Sequence, residues 1–322
     1  MKSTENPLVS IIIINYNGFD YVEKCFKSIM ENNYKEFEII LVDNNSTDNS
    51  VAFVKETFPD IKIIKLDSNY GYAKPNNIGA REAKGDLLFF LNNDTAIHQD
   101  SITELVKVIE NPEIGICQSL LLKPDGAIDS SGDYFTINGI AYSSRKKINT
   151  IKQILSARGA SMMIKKKIFW ELGGFDNEFF ISFEDVDLGW RTWLLGYKVV
   201  VVPNSIVYHL GGQTVKKVNQ NIKFHGVKNT LVLCLVNFEP KFSRKAIASL
   251  IAGAFKQKFS HSRSNDFKLL FLLPSFKTVI SALFWIIRNY GYIYRKKKQI
   301  NSKRRRSTSE LINLGLITNE LN

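Results

Sequence analysis

The stretch FEDVDLGWR brings together four charged side chains, Glu184, Asp185, Asp187 and Arg191. On a helix, Asp187 and Arg191 are four residues apart and can form an ion pair, which is a structural role. Asp185 points about 100° away from Glu184 around the helix axis, so the two neighbouring carboxylates serve separate tasks. A carboxylate at the start of a helix is also favoured by the helix dipole alone. The functional alternative for Asp185 is a general base that takes a proton from an attacking hydroxyl group.

Asp94 and His209 form a second candidate site. The apolar run LLFFL ends in Asn92, Asn93 and Asp94, and a long apolar run also precedes His209. A polar turn or a lone histidine is often only structural. An aspartate and a histidine at two strand ends can, however, share a divalent cation. With diphosphate oxygens completing the set, these ligands suit Mn²⁺ or Mg²⁺ better than zinc.

The scaffold that would position these side chains is an α/β domain. From residue 8 to residue 94, apolar β-branched runs alternate with segments of helical apolar spacing, which predicts a mainly parallel sheet covered by helices on both faces. Ser46 or Asp48 is the expected N-cap of the second helix. Later in the chain, residues 184–195 predict a helix stopped by Gly196, and residues 198–209 predict a pair of strands.

The carboxyl ends of the predicted strands form the expected binding edge, because ligands bind at that edge of open parallel sheets. Four successive strand ends are polar. On this basis the residues assigned to substrate or nucleotide binding are Asn15, Tyr16, Asn17, Asp43, Asn45, Asn69, Gly71, Asn77, Asn92, Asn93 and Glu184. Asp43 either accepts a hydrogen bond from a pyrimidine imide or caps the next helix. The loop NYGYAKPNNIG either binds sugar hydroxyls or a diphosphate through its amides, or is a tight structural turn.

Two nucleotide-binding motifs are missing. The turn after the first strand, NYNGFDY, lacks the GxGxxG fingerprint, and no Walker A sequence occurs, so a dinucleotide cofactor is not expected. Three cysteines lie far apart without a CxxC pair, which argues against disulfides and a cysteine-based zinc site. The N-terminus lacks the apolar region of a signal peptide, and no apolar run reaches the length of a bilayer span. A cytoplasmic protein is therefore expected.

The C-terminal quarter is strongly basic. The chain carries a net charge of +12, whereas residues 241–322 alone hold 17 Lys and Arg against three Asp and Glu. This divides the chain into a catalytic domain at 1–240 and a basic amphipathic helical region at 241–322. Aromatic residues between an apolar block and a basic cluster are typical of a helix lying in a membrane interface. The alternatives are packing on the catalytic domain and nucleic-acid binding by KRRRS, which the adjacent apolar content disfavours.

The motifs together resemble the family 2 glycosyltransferases of the GT-A fold, in particular the rhamnosyltransferase-like branch. The resemblance covers roughly residues 8–235, and the matching stretches occur in the family's order: VSIIIINYNG, EIILVDNNSTDNS, NYGYAKPNNIGA, LLFFLNNDT, GASMMIKK, GGFDNEFFISFEDVDLGWR and VYHLGG. Each stretch is weak evidence alone, but the combination is specific.

The resemblance implies an inverting, metal-dependent transfer of a sugar, for example rhamnose, from a dTDP-, UDP- or GDP-linked donor. Residues 92–94 align with the DXD motif, with Asn92 replacing its first carboxylate and Asp94 holding the cation. Asp43 aligns with the position that contacts the nucleobase, Asp185 with the catalytic base, and His209 with a histidine that completes the metal site. The basic tail suits a polyprenyl-diphosphate-linked saccharide acceptor at the inner face of the cell membrane.

Two rival functions remain at this point. A binding or assembly protein could keep the fold without catalysis and act through its basic tail, but intact Asp94, Asp185 and His209 argue against it. A nucleotidyltransferase would need a basic phosphate-binding loop near the first strand, and NYNGFDY contains no basic residue.

Overall fold

The computed structural model describes residues 6–210, 222–259 and 275–320. Its strands are β1 Val9–Asn15, β2 Phe37–Asp43, β3 Lys62–Lys65, β4 Leu87–Asn92, β5 Thr95–Ile97, β6 Ile114–Leu122, β7 Ile128–Ser130, β8 Asp133–Thr136, β9 Ala141–Ser143, β10 Lys152–Gln153, β11 Ser161–Lys165, β12 Lys198–His209 and β13 Ile317–Thr318. Its helices are α1 Phe19–Met30, α2 Ser50–Thr57, α3 Ala73–Glu82, α4 Ser101–Ile109, α5 Lys166–Glu171, α6 Glu184–Leu194, α7 Ile222–Asn237, α8 Pro240–Phe259, α9 Phe276–Arg288, α10 Tyr290–Lys303 and α11 Thr308–Asn313.

The central sheet has the strand order β10-β12-β6-β11-β4-β1-β2-β3. Strands β4, β1, β2 and β3 are parallel, β6 is parallel to β12, and β11 runs antiparallel between β4 and β6. Alternate residues of β1 enter two apolar cores: Ile11 and Ile13 pack with α1 and α4, whereas Ile12 packs on the opposite face with α3, α6 and α7. The prediction of an α/β fold with helices on both faces of a mainly parallel sheet is thereby confirmed.

Two local predictions were wrong. The segment from Lys198 to His209 is one strand with an irregular register after Val202, because Pro203 and the following residues bulge without ending the pairing with β6. Helix α2 begins at Ser50 with Asn49 at its N-cap, one residue after Asp48, although Asp48 Oδ1 accepts from the Ser50 N–H at 3.1 Å. Asp48 Oδ2 accepts from the Phe19 backbone N–H at 3.0 Å and so links two loops of the binding edge.

The region after residue 240 is helical, and its last part belongs to the core of the catalytic domain. Ile293, Ile300 and Leu311 are buried in the same apolar cluster as the helices under the sheet. Strand β13 pairs in parallel with β8 and completes a small sheet of β13, β8 and β9. The segment from Ile293 to Ile317 therefore packs against the rest of the chain, and the division into two regions at residue 240 stays a prediction.

Basic residues of the tail are also tied to the catalytic domain. The Arg306 guanidinium donates to the carbonyls of Gly196 and Tyr197 at 2.8 and 3.1 Å and lies 4.9 Å from the Trp193 ring centre. Arg304 donates to the Asn237 carbonyl at 2.6 Å. Part of KRRRS therefore has a structural role. All three cysteines are free and buried. Within the described ranges, no helix combines the length and apolarity needed to cross a membrane.

Candidate active site

A cleft of about 460 Å³ opens at the carboxyl ends of β1, β2 and β4, where the polar strand ends predicted a binding edge. Nine of the predicted site residues line it: Tyr16, Asn69, Gly71, Asn92, Asn93, Asp94, Glu184, Asp185 and His209. The structure thus brings together side chains that are distributed from residue 16 to residue 209 of the chain. The metal and general-base candidates face the same space.

Asn15 lies under the cleft and holds its floor together. The Asn15 side chain is fully buried. Its Oδ1 atom accepts from the Asn93 amide at 2.9 Å, and its Nδ2 atom donates to the Ser46 and Ser50 hydroxyls at 3.0 and 2.7 Å. Gly18 is required at the next turn, because a Cβ atom there would lie 2.2 Å from Asn93 Nδ2. Asn15 therefore connects the ends of β1, β2 and β4 from below.

Asn17, Asp43 and Asn45 surround the cleft without lining it. Asn17 and Asn45 adopt positive φ values of 51° and 67°, a conformation that asparagine tolerates better than most residues. The Asp43 carboxylate is buried and accepts from the backbone N–H of Ser46 at 3.2 Å. This contact holds the loop before α2 and does not cap that helix, whose N-cap is Asn49, and contact of Asp43 with a nucleobase stays a prediction.

The loop after β3 is shaped by an asparagine that the sequence did not single out. Asn44 donates to Asn69 Oδ1 at 2.9 Å and to the Gly71 carbonyl at 2.8 Å, and it accepts from the Tyr70 backbone N–H at 2.9 Å. Gly71 has a φ of +77°, and a Cβ atom there would lie 1.9 Å from the Phe180 carbonyl oxygen. The glycine therefore lets this loop approach the segment that precedes α6.

Asn77 lies away from the cleft. Its Nδ2 atom donates to the Phe175 carbonyl and to Asn177 Oδ1, both at 2.8 Å, and its Oδ1 atom accepts from the Phe175 N–H at 2.9 Å. The Asn77 side chain therefore links α3 to the loop after α5 through hydrogen bonds. Of the two alternatives for this position, the structural one matches these contacts.

Asp94 and His209 are neighbours because β5 pairs antiparallel with the end of β12, which aligns Thr95 with His209. The Leu210 N–H donates to the Asp94 carbonyl at 3.1 Å and closes the pairing. Asp94 Oδ1 and His209 Nε2 are 3.5 Å apart, both are buried, and neither has a hydrogen-bond partner. Two such orphaned atoms facing one another fit a pair of ligands to a divalent cation. In the part of the chain that the structure describes, no third His, Cys, Asp or Glu completes a metal-binding group.

Asp129 fixes the orientation of the His209 ring, and sequence reasoning did not single it out. The Nδ1 atom of His209 donates to Asp129 Oδ2 at 2.9 Å, which leaves Nε2 directed at Asp94. Burial lowers the pKa of His209, but its hydrogen bond to Asp129 and the charges of Asp94 and Asp129 outweigh burial and raise that pKa to about 9. Arg158 is 3.1 Å from Asp129 and 3.6 Å from Asp133 and lines the same cleft. A continuous series of charged groups therefore runs from Asp94 to Asp133.

Asp185 lies in the first turn of α6 and lines the same cleft. Its Oδ2 atom accepts from the Gly159 N–H at 3.0 Å, and Oδ1 accepts from the Val186 N–H at 2.8 Å. Burial, followed by the charge of Asp133, raises the pKa of Asp185 to about 6. Glu184 is buried with Oε2 unpartnered, and burial together with the Asp185 charge holds its pKa well above the usual range. Burial therefore raises the pKa of both adjacent carboxyls.

Asp187 and Arg191 form the expected ion pair, with Arg191 Nε donating to Asp187 Oδ2 at 2.8 Å. The pair also contacts Lys296 of α10, whose ammonium lies 3.1 Å from Asp187 and also contacts Asp176. A second cavity of about 550 Å³ lies beside these groups, between α10 and the loop after α5. Its buried charges are already paired with one another, so the chemistry is assigned to the first cleft.

Comparison with known proteins agrees with this assignment. The model of glycosyl transferase family 2 matches residues 10–173, half of the chain. The O-antigen biosynthesis protein RfbC of Myxococcus xanthus is 32% identical over 219 residues, which are 63% of this chain and 17% of that protein. The N-acetylglucosaminyl-diphospho-decaprenol L-rhamnosyltransferase of Mycobacterium tuberculosis is 23% identical over 232 residues, 63% of this chain and 76% of that protein. The chain therefore spans only a small part of the first of these relatives.

Solved structures share the fold. GalNAc-T7 with UDP, GalNAc and Mn²⁺ superimposes with a TM-score of 0.63 at 17% identity, over 89% of this chain and 58% of that one. The mannosyltransferase PcManGT from Pyrobaculum calidifontis, solved with GDP-Man and Mn²⁺, gives 0.53 at 18% identity, over 93% and 87%. The architecture is thus that of the GT-A glycosyltransferases. The chain belongs to glycosyl transferase family 2.

Proposed function

We propose that this chain is an inverting, divalent-cation-dependent glycosyltransferase that takes a sugar from a nucleotide-diphosphate donor in cell-surface polysaccharide synthesis. The observation that carries the proposal is the single cleft in which Asp185, with a pKa raised to about 6, faces the orphaned pair of Asp94 and His209. A base with this pKa is ionised at neutral pH and can still accept a proton efficiently.

The reaction needs one displacement. Asp185 takes the proton of the acceptor hydroxyl, the acceptor oxygen bonds to the anomeric carbon, and the bond from that carbon to the diphosphate breaks, which inverts the anomeric configuration. Asp94 and His209 are the residues that would hold the cation, and a bound cation would stabilise the negative charge of the leaving diphosphate. Burial raises the pKa of Glu184 well above its usual range, which favours its protonated form beside the base.

The donor sugar is proposed from the relatives. The Mycobacterium tuberculosis relative is named as a rhamnosyltransferase, which makes dTDP-rhamnose the first donor to test, whereas the structural neighbours were solved with UDP or GDP-Man. The same relative acts on a decaprenol-diphosphate-linked sugar, so we propose a saccharide or polyprenyl-diphosphate-linked acceptor.

A donor screen with Mn²⁺ or Mg²⁺ tests the function directly. Release of nucleoside diphosphate from one donor of the panel is expected, and Asp185→Asn should lower turnover by about 10²–10⁴-fold while donor binding survives. Asp94→Ala should weaken the affinity for Mn²⁺ and for the donor, as measured by calorimetry. Unchanged affinities in Asp94→Ala would remove the cation assignment, and near-normal turnover of Asp185→Asn would remove the base. Donor binding without turnover in the wild type would favour the catalytically silent binding protein.

We also propose that one face of α9 and α10 lies on an anionic membrane. Ile280, Phe284 and Ile287 are exposed at helical spacing on α9, with Phe284 at 64% and Ile287 at 73% exposure. Tyr290 and Tyr294 continue the exposed face at the start of α10. Residues 276–303 contain seven Lys and Arg and no Asp or Glu. An apolar and aromatic face with a basic border is typical of interfacial helices.

Vesicle flotation tests this face. Burying one Phe or Ile side chain is worth about 1.5–3 kcal/mol, so Phe284→Asp and Ile287→Asp together should lower binding to vesicles that contain anionic lipid by at least about 100-fold. Leu314→Asp is the matched control, because Leu314 is 48% exposed outside this face. Equal flotation of the double variant and the wild type would exclude the face. Loss of vesicle binding in Leu314→Asp alone would show that the protein contacts the membrane through a different surface.

A further inference from the structure

Two consecutive residues with left-handed backbone precede the proposed base. Ser182 and Phe183 have φ values of 73° and 69°, and neither is a glycine or an asparagine. The other non-glycine residues with positive φ in the described part of the chain are Asn17 and Asn45, whose residue type tolerates this conformation. Left-handed backbone at a bulky residue is unfavourable and persists only where neighbouring groups impose it. The turn before α6 is therefore held in place by other parts of the molecule.

Asn229 of α7 is the side chain that holds this turn. It is fully buried, and its Nδ2 atom donates to the carbonyls of Ser182 at 2.7 Å and Ile181 at 3.0 Å. Its Oδ1 atom is buried without a hydrogen-bond partner, which is unfavourable. The favourable contribution of the Asn229 side chain to the turn therefore comes from the two hydrogen bonds that its NH₂ group donates. An alanine at this position would remove both bonds together with the unpartnered oxygen.

Neighbouring contacts extend the same support. Lys228, also buried, donates to the Glu178 carbonyl, and its ammonium lies 4.6 Å from the Trp285 ring centre. From the cleft side, the Tyr72 N–H donates to the Phe180 carbonyl at 2.8 Å. The carbonyls of residues 178, 180, 181 and 182 are all bound by groups outside this segment. The segment is therefore fixed from both sides up to the first residue of α6.

The turn sets where α6 begins. Phe183 occupies the N-cap position without a side-chain capping bond, so backbone conformation alone directs the chain into the helix. Asp185 follows two residues later and reaches the Gly159 N–H at 3.0 Å. If the turn relaxed to negative φ, the first turn of α6 and the Asp185 carboxylate would shift within the cleft. A displacement of about 1 Å can lower a rate by about 100-fold.

We propose that Asn229 is a positioning residue for Asp185 and acts through the strained Ser182–Phe183 turn. The inference rests on the proposed role of Asp185 as the base, but Asn229 itself lies outside the region matched by the family model. It also gives the helices after residue 222 a part in catalysis, because they hold the segment that presents the base.

The test compares Asn229→Ala with a variant that no longer needs the restraint. Asn229→Ala should lower kcat at least tenfold with the donor found in the screen, leave the affinity for Mn²⁺ alone unchanged, and speed amide exchange in residues 178–186. Replacing Ser182 and Phe183 by glycine in the Asn229→Ala background should restore much of kcat, because glycine adopts positive φ without strain. Asn229→Asp, which keeps the shape but turns a donor into an acceptor, should be at least as impaired.

Asn237→Ala is the matched control, since it removes a buried amide from the same helix that donates to Asp187 at 3.4 Å and not to residues 181–183. It should retain kcat per folded molecule. Normal kcat in Asn229→Ala, or no rescue by the two glycines, would overturn the inference while the proposed function stands. If the wild type turned over no donor, the proposed function would fail. In that case, unchanged amide exchange in residues 178–186 of Asn229→Ala would also show that Asn229 does not restrain the Ser182–Phe183 turn.

Discussion

The Asp185 carboxylate is ionised at a cost in folding free energy, which gives a prediction about stability as well as activity. Its pKa is raised from 3.8 to about 6, first by burial and then by the charge of Asp133. The folded protein therefore binds this proton more tightly than the unfolded chain does. At about 1.4 kcal/mol per pKa unit, ionisation costs on the order of 3 kcal/mol once both states are charged. Because the side chain is partly exposed to the cleft, we expect about 2 kcal/mol.

Asp185→Asn should therefore be more stable than the wild type by about 2 kcal/mol at pH 8 while losing activity. The sign follows from the raised pKa: the penalty is absent below about pH 4, grows as the pH rises from 3.8 to 6, and is complete above pH 6. Urea denaturation at pH 4, 6 and 8 measures it. Asp60→Asn, at an exposed carboxylate in the turn before β3, should show no such pH-dependent gain.

Equal or lower stability of Asp185→Asn at pH 8 would refute the reasoning, because the carboxylate would then not be held against a desolvation cost. A gain that is the same at pH 4 as at pH 8 would assign the effect to packing or hydrogen bonding. Calorimetry at the same pH values measures the enthalpy of unfolding. It therefore separates a change in the free energy of unfolding from a change in how much of the chain unfolds.

Three further predictions follow from the same contacts. Asp129→Ala should weaken Mn²⁺ affinity by about 10–100-fold, as is usual when the carboxylate partner of a metal-binding histidine is lost. Asp125→Asn, in the neighbouring exposed turn, should leave this affinity unchanged, and calorimetry with Mn²⁺ alone measures both variants. Lys296→Met should destabilise the fold by about 1.5–3 kcal/mol in urea, since it removes one of the two cations that contact the buried Asp187 carboxylate, and exposed Lys298→Met is its control. The value of kcat/KM should fall below pH 6 and reach about a tenth of its plateau at pH 5, because Asp185 must be ionised; a flat profile from pH 5 to 8 would contradict its role.

The polar strand ends and the carboxylate stretch were sufficient to predict the fold class and most of the cleft. Buried parallel strands have a distinctive apolar pattern, and their carboxyl ends converge at one edge, so the sequence alone places Asn92 to Asp94 beside the loop at Asn69. The Asp187–Arg191 pair was predictable because its spacing is set by one helix.

The residues that were missed depend on contacts between distant segments. Asp129 and Arg158 lie in short strands and turns whose pairing partners are remote, and neither has a sequence pattern that connects it to His209. Asn44 was adjacent to the predicted Asp43 and Asn45, but its role depends on how the loop at Gly71 folds back. Arg304 and Arg306 suggested a solvated basic end, because the carbonyls that they bind become neighbours only in the folded chain.

The small sheet beside the cleft has a consequence for the order in which the protein matures. Asp133 of β8 and Tyr142 of β9 line the cleft, β13 pairs with β8, and the hydroxyls of Tyr142 and Thr318 are 3.1 Å apart. During translation, every motif of the cleft leaves the ribosome long before Thr318 does. A nascent chain can therefore assemble the sheet that carries these motifs before β13 is present to support the wall formed by β8 and β9. Synthesis of the last strand thus delays the completed cleft until nearly the whole described chain has emerged.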